Sequence, residues 1–540
     1  MKLRLLLALS LIGPASGHAL AKTYKVGPGE NIQAAVDLAS AGDTIEVKGV
    51  HYENVVLALS SLTLRGKAGA TIDGQYLDPC VEATGDDIRV MDLTLLHGTN
   101  GIDVDGHGAH IEGNLIRNAQ TASIQIEGDD ATLLENDVRD GGGVNVVADN
   151  TTSVTTIEKN ETLRCDRICV EVGAFVIRKN DVRSGEGIEV RCDHPSVTTR
   201  IQSNELTGID DDAAIDVAAD GDAAIRIESN TIERVNGNGV DVYREGAGGA
   251  VIKKNDISQV SDDGFDIGHA GSGFFELRDN TVVECGIAGY CVGANSTGDL
   301  ELTGGSVRSS LGVGLFVEVE DEGDFLVSDV EIRNTAGHGI QAYDDNLSMG
   351  RVTIQDCDIR DCVKSGIMTS GGLLTSIVGC RIRRCRLDGI DYETSSPSIN
   401  ENVIRDCGQN GIRVAPANPI YGGGVARNDI RKCGADGIVV VECDFCFVSD
   451  NVCRKNRGDG IDFLAGGGNW ILGNVCCDNL HEGIDNSVAS VSMNGNVCLG
   501  NGSGLGPDIA GAGKGTGSVG QFDDNEYVTG GPAAIQRLDQ

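Results

Sequence analysis

One phrase recurs along this chain, and it leaves few folds open. Residues 428–440 read NDIRKCGADGIVV; near-copies start at Asn402 (NVIRDCGQNGIRV), Cys380 (CRIRRCRLDGIDY) and Cys357 (CDIRDCVKSGIMT). With the Asn of NDIRKC as position 1, Asn also stands there at Asn114, Asn136, Asn160, Asn180, Asn204, Asn230, Asn255 and Asn280, and again at Asn451, Asn474 and Asn496. Gly305, Val330, Cys357 and Cys380 fill the gap between the two runs, and the units are 20 to 27 residues long. Position 3 is usually Ile, Val or Leu; a Gly-bearing turn follows, then an alternating G-I-x-V segment. A unit this small cannot bury its apolar side alone, whereas stacked copies bury a continuous core. The segments are strand-sized with period 2, and Asn, Gly and Asp separate them. The expected fold is a single solenoid of parallel strands, one repeat per coil, with coils ~4.8 Å apart. Position 1 then becomes a ladder of Asn amides at a turn.

Composition agrees. The chain has 540 residues, yet 76 Gly and only 4% aromatics, which suits stacked small aliphatics and tight turns better than several globular cores. Acidic residues outnumber basic ones 81 to 43, which argues against nucleic acid as the main partner, since affinity for phosphate chains rests on Lys and Arg. The first residues read as a signal peptide over 1–21: a basic MKLR, the apolar LLLALSLIG, and a small-x-small site at Ala19–Ala21. That run is too short to cross a bilayer, and the expected location is secreted, periplasmic or at the cell surface. ENIQAAVDLAS then reads as a short amphipathic helix, with Ile32, Val36, Leu38 and Ala39 apolar, covering the open edge of the first coil. The expected divisions are 22–78 for the cap and first coils, 79–500 for the repeats and 501–540 for a Gly-rich end.

IQAAVDLASAGDTIEV, HYENVVL, LTLRG and ATIDG resemble the opening of right-handed parallel β-helix proteins of the pectin-lyase-like superfamily. The later N-x-I…G-I-x-V units resemble its coil repeats, so the resemblance covers about 24–500. It implies an all-β, right-handed parallel β-helix. It implies no single activity, because that superfamily holds lyases, hydrolases, epimerases, phage tailspikes and non-enzymatic proteins.

The chain has 18 cysteines. Cys165, Cys285, Cys362, Cys385, Cys407 and Cys433 stand at position 6, a small and mostly apolar site elsewhere; Cys453, Cys476 and Cys498 take position 3. That placement makes them core fillers stacked between coils. The alternative is bridging within CDRIC (Cys165, Cys169) or CDFC (Cys443, Cys446). A lone C-x-x-C lacks the second ligand pair of a zinc site.

Two outward ladders carry the functional candidates. In G-I-x-V, x points out, giving Glu189, Asp216, Asp241 and Asp266 on consecutive coils. Carboxylates ~5 Å apart repel one another and raise some of their pKa values, which calls for calcium, shared protons or a cationic substrate. Arg191, Tyr243, His194 and His269 are expected beside them. Such groups suit uronate chemistry: Arg neutralises the sugar carboxylate, and Tyr or His exchanges a proton. Two carboxylates also suffice for glycoside hydrolysis. The alternative is a solvated face that blocks lateral association. The enzyme signatures of the superfamily are incomplete: CDHPS at Cys192–Ser196 is similar to an acidic-Pro-His motif of alginate epimerases in a different order, and the pectate-lyase Arg-x-Pro-x-x-Arg is missing. The second ladder is basic. Arg308, Arg333, Arg360, Arg383, Arg405, Arg431 and Arg454 hold position 4 on seven successive units, where they either grip an extended anion such as an acidic polysaccharide or lace to neighbouring Asp. Two function classes follow: a non-catalytic exported rod that binds an acidic polysaccharide or serves structurally, and a lyase, C5-epimerase or glycoside hydrolase.

Overall fold

The chain winds into one all-β parallel solenoid. The computed structural model describes residues 21–502, apart from 149–152, 193–197, 295–296, 320–322, 345–349, 373, 395, 417–421 and 489–490, and beyond them the strands 509–511, 522–523 and 526–528. The expected signal peptide, but for Ala21, and most of the Gly-rich end therefore lie outside the described residues.

Each coil passes through three sheets. In the coil of the opening phrase these are Asp429–Arg431, Ile438–Val440 and Phe447–Ser449, after which Val452–Arg454 starts the next coil. We refer to these as the arginine-bearing sheet, the carboxylate-bearing sheet and the third sheet; the strands described in them number 21, 20 and 22. All pairings are parallel and join equivalent positions of successive coils, as in Arg405↔Arg431, Ile412↔Ile438 and Val425↔Val448. The repeat phrase marks the first two sheets; the third has no fixed residue, only alternation, and is the least legible.

The core is a stack of aliphatic rows. Ile430, Ile438, Val440 and Val448 are all at most 1% exposed, and their counterparts in neighbouring coils at most 2%. Each such side chain contributes about 1.5–3 kcal/mol by leaving water. The short arginine-bearing strand is bracketed by two sharp corners. In the coil of Asn428, Arg427 (φ 56°) and Lys432 (φ 58°) both adopt the left-handed region, which turns the chain at a cost that polar residues tolerate better than β-branched ones. Just inside the first corner runs the Asn ladder. The Asn428 backbone N–H and Nδ2 both donate to Asn451 Oδ1 (3.0 and 2.9 Å), and Nδ2 also donates to the Ile399 carbonyl (2.9 Å). Its own Oδ1 accepts from Asn402 in the same way (3.0 Å twice). The ladder of position 1 is as the repeat predicts.

At the N-terminal end the expected helix is present but spans only Ile32–Val36. Asn31 caps it by accepting from Ala34 N (2.7 Å), and the Glu53 carboxylate accepts from the free N–H of Ile32 (3.0 Å). Ile32 and Val36 face the core, whereas Leu38 is 71% exposed and adds nothing to the cover. Among the described residues no helix is long and apolar enough to cross a membrane. Cys443 and Cys446 form a disulfide; the other sixteen cysteines form none, and all are buried except the half-buried Cys169, Cys291 and Cys477. The core-filler reading thus holds for the stacked cysteines, and the bridging alternative holds only for CDFC.

Candidate functional site

Strict register brings the four predicted carboxylates into one row: Glu189↔Asp216, Asp216↔Asp241 and Asp241↔Asp266, with Cys169 before and Cys291 after. The row is not uniform. Glu189 is 5% exposed. Burial pushes its carboxyl up, but the guanidiniums of Arg167 and Arg191 bond to it and hold it below the ordinary range. Arg167 also reaches Asp211 (3.1 Å) and Glu186 (3.2 Å). Past that neutralised end, among the described residues no Lys or Arg pairs with Asp216, Asp241 or Asp266. Asp216 is raised by burial and then by Glu189, and Asp266 is raised by burial. Asp241 is pushed to about 6 by burial and by Asp266 and Asp216 on either side, with only Asn238 Nδ2 at 3.4 Å in relief. Asp263, beside the row, is also raised to about 6 by burial and accepts from Ala288 N (2.6 Å).

Tyr243 joins this face. It is 48% exposed, shares an outward row with Ala218 and Gly268, and lays its ring over Gly268, where a Cβ would come within 2.9 Å of it. Its hydroxyl donates to Glu245 (2.6 Å), which raises its pKa and keeps it protonated. Arg191 stands at the neutralised end. His269 does not join. It is 1% exposed, packs on Phe275 (ring centroids 4.5 Å apart) and donates from Nε2 to the Gly273 carbonyl (2.9 Å). Burial lowers its pKa. The strand Phe265–Gly271 continues past Ile267, so alternation turns position 269 inward, in register with the equally buried Arg244. His194 lies outside the described residues.

The arginine ladder is also in register, Arg308↔Arg333 through to Arg431↔Arg454. Two residues back, on the same outer face of each strand, stand Ser306, Glu331, Asp358, Arg381, Val403, Asp429 and Val452, so three carboxylates serve seven arginines. Glu331 pairs with Arg308, Arg333 and Arg360, Asp358 with Arg383 (3.1 Å), and Asp429 with Arg405 (3.7 Å) and Arg431 (2.6 Å). Arg384, Lys432 and Lys455 add positive charge at the corner; Asp361, which pairs with Arg384 (2.7 Å), and Asp406 offset part of it. The Nε atoms of Arg333, Arg383 and Arg454 are buried with no hydrogen-bond partner. Burial, and then the like charges of Arg360 and Arg308, lower the pKa of Arg333.

Two further constellations escaped the sequence reading. Asp436, Asp459, Asp462, His481, Glu482 and Asp485 gather on the last coils of the carboxylate-bearing sheet; burial raises Asp462 to about 6 and, with Glu482 facing it, Asp459 to about 8. The signal for all but His481 was present in the repeat itself, in the residue before each Gly (Asp436, Asp459, Glu482) and in the x of G-I-x (Asp462, Asp485). On the third sheet Phe447 stacks on Trp470 (4.5 Å between centroids, 8° between planes), with Phe445 alongside. The only hint was the lone Trp one unit after a Phe.

The family model described as "Right handed beta helix region" matches residues 79–232, 168–318, 213–349 and 291–423. Among solved structures, the periplasmic alginate epimerase AlgG is 14% identical, over 58% of this chain and 76% of that one, at a TM-score of 0.36. The catalytic unit of a GH87 α-1,3-glucanase from Streptomyces thermodiastaticus strain HF3-3 is 14% identical, over 68% and 69%, at 0.34. The A-module of the Azotobacter vinelandii mannuronan C-5 epimerase AlgE6 is 12% identical, over 92% and 93%, at 0.20. No curated protein matches the chain in sequence.

Proposed function

Since this chain belongs to the right-handed β-helix family, we propose that it is an exported rod that binds an acidic polysaccharide along its arginine-bearing sheet. The observation that carries this reading is the row of seven arginines, one per coil, with three carboxylates in the row beside it. Ion pairs among exposed groups are worth little and satisfy only part of such a row. A guanidinium is a planar fork that matches a carboxylate two bonds at a time. The coil spacing of ~4.8 Å is close to the rise per sugar of an extended polyuronate, so a polymer lying along the rod meets about one arginine per residue. Single contacts are weak in water, but several in register add, and their sum falls with salt. The signal peptide at 1–21 supports placement outside the cytoplasm.

The test is retention on an alginate or polygalacturonate gel. The parent should be held at low salt and released as salt rises, and Arg383→Gln/Arg405→Gln/Arg431→Gln should pass through unretained with its circular dichroism unchanged and at most a small fall in melting temperature. A parent that fails to bind, or a triple variant that binds equally well, reduces the row to a lace of surface ion pairs.

A second reading, a uronate lyase, C5-epimerase or glycoside hydrolase, is favoured by the raised carboxylates Asp216, Asp241 and Asp266 beside Tyr243 and Arg191. Calcium held by Glu189, Asp216, Asp241 and Asp266 would belong to that reading. Incubation with alginate, pectate and chondroitin, following unsaturated-uronate absorbance and reducing ends with and without EDTA, decides it; no change in either signal removes the enzyme.

A further inference from the structure

Two successive copies of the repeat, GDGIDF at 458–463 and HEGIDN at 481–486, bring Asp459, His481 and Glu482 together. Each offers a ligand atom, and these atoms lie within 4.8 Å of one another; among the described residues no other three His, Cys, Asp or Glu side chains converge in this way. The backbone explains part of the arrangement. The residues before each Gly form a ladder in which a side-chain oxygen accepts the N–H of the next coil: Asn410 Oδ1 from Asp436 N (3.1 Å), Asp436 Oδ1 from Asp459 N (2.7 Å), Asp459 Oδ1 from Glu482 N (2.6 Å). Asn410 shows that a neutral amide fills this role. From Asp436 onward the ladder is acidic, so each member carries a second oxygen that the ladder does not use.

Two of these carboxyls converge: Asp459 is 8% exposed, and a carboxyl oxygen of it lies within 4.8 Å of one of Glu482. Beside them Asp462 keeps a buried Oδ1 with no hydrogen-bond partner at all. Elsewhere on this sheet a cation answers such pairs, as Arg413 does for Asp391 (2.6 Å) and Glu393 (2.8 Å). Here, among the described residues, no Lys or Arg pairs with Asp459, Asp462 or Glu482, and desolvated carboxylates without a counter-charge are costly.

We infer that Asp459, His481 and Glu482 bind one divalent transition-metal ion, with Asp462 accepting from a metal-bound water. One imidazole beside carboxylates selects manganese, iron, cobalt or zinc, whereas calcium takes all-oxygen shells. Asp459 comes from one coil and His481 and Glu482 from the next, so the ion clamps two coils near the end of the described solenoid and stabilises it by mass action.

Manganese is the probe, because thiols compete poorly for it and the chain is rich in cysteine. Titration followed by electron paramagnetic resonance should find a tightly held ion whose spin echo carries nitrogen modulation from one imidazole. His481→Ala, at an exposed position, should lose that modulation and at least tenfold in affinity. Asp459→Asn keeps the ladder bond, as Asn410 does, and should lose a similar amount. Manganese should raise the parent's melting temperature and leave both variants unmoved. Absence of a nitrogen-coupled ion, or its persistence in His481→Ala, overturns the assignment.

Discussion

Glu189, Asp216, Asp241 and Asp266 stand one per coil on one sheet; Arg308 through Arg454 do the same on another. Both rows bring like charges to the coil spacing, yet they relieve the repulsion differently. An aspartate is short. Its carboxyl stays down at the strand surface among flanking rows, where Asp241 escapes charge by holding its proton to about pH 6. An arginine is long and stays charged. Its stem lies along the sheet while the head reaches solvent, and six of the seven, Arg308 to Arg431, keep side-chain exposures between 21 and 49%. The same stacking rule therefore gives one row that answers to pH and another that answers to anions and salt.

The comparison presumes that both rows ride on a common scaffold, so the largest effect should come from breaking that scaffold. Asn428→Ala removes the donor to Asn451 and Ile399 and leaves Asn402 without its acceptor, all of them buried. Each stranded buried group costs about 1–3 kcal/mol, so the variant should lose about 2–4 kcal/mol. Chemical denaturation measures it, and a variant as stable as the parent breaks the ladder argument.

Next is the basic row. The Arg383→Gln/Arg405→Gln/Arg431→Gln variant should lose no more than about 1 kcal/mol, because its ion pairs are half-exposed, while salt-sensitive retention on polyuronate disappears. A large loss of stability would make that row structural and the two rows alike.

The acidic row should respond to pH with a smaller effect. Asp241 has its folded pKa raised from 3.8 to about 6. Its contribution to stability is full below pH 4 and is lost as pH rises through 6, since the unfolded chain gives up this proton earlier. Asp241→Asn should therefore gain about 1 kcal/mol at pH 7.5 and nothing at pH 4. Melting at the two pH values checks this; an equal shift at both would deny the raised carboxyl.

The finest probe is the pair of cysteines that close the acidic row. Burial and the neighbouring carboxylates raise Cys169 to about 11 and Cys291 to about 12. At pH 8 their alkylation in the native protein should run on the order of a hundredfold slower than that of a free thiol, and Asp266→Asn should speed Cys291 a few-fold. Rates equal to those of the denatured chain would show that this face is not desolvated.

The sequence by itself determined the coil, because a repeated strand with period 2 can bury its apolar side only by stacking on its own copies. It also determined both rows: equal position in the repeat becomes register once the coils stack, as Glu189 to Asp266 and Arg308 to Arg454 show. Only the tertiary structure decided what happens beyond the phrase. The sequence sets His269 beside Asp266, yet the strand runs on to Gly271 and carries His269 into the core. The third sheet follows corners with no fixed residue, so the Phe447–Trp470 stack depends on loop lengths that vary from coil to coil. Asp459 belongs to one coil and His481 and Glu482 to the next, and whether their carboxyls and imidazole meet depends on the turn that leads into Gly483. Alternation and periodicity are local and survive in the sequence; the distance between side chains from separate coils is set by every corner between them and does not.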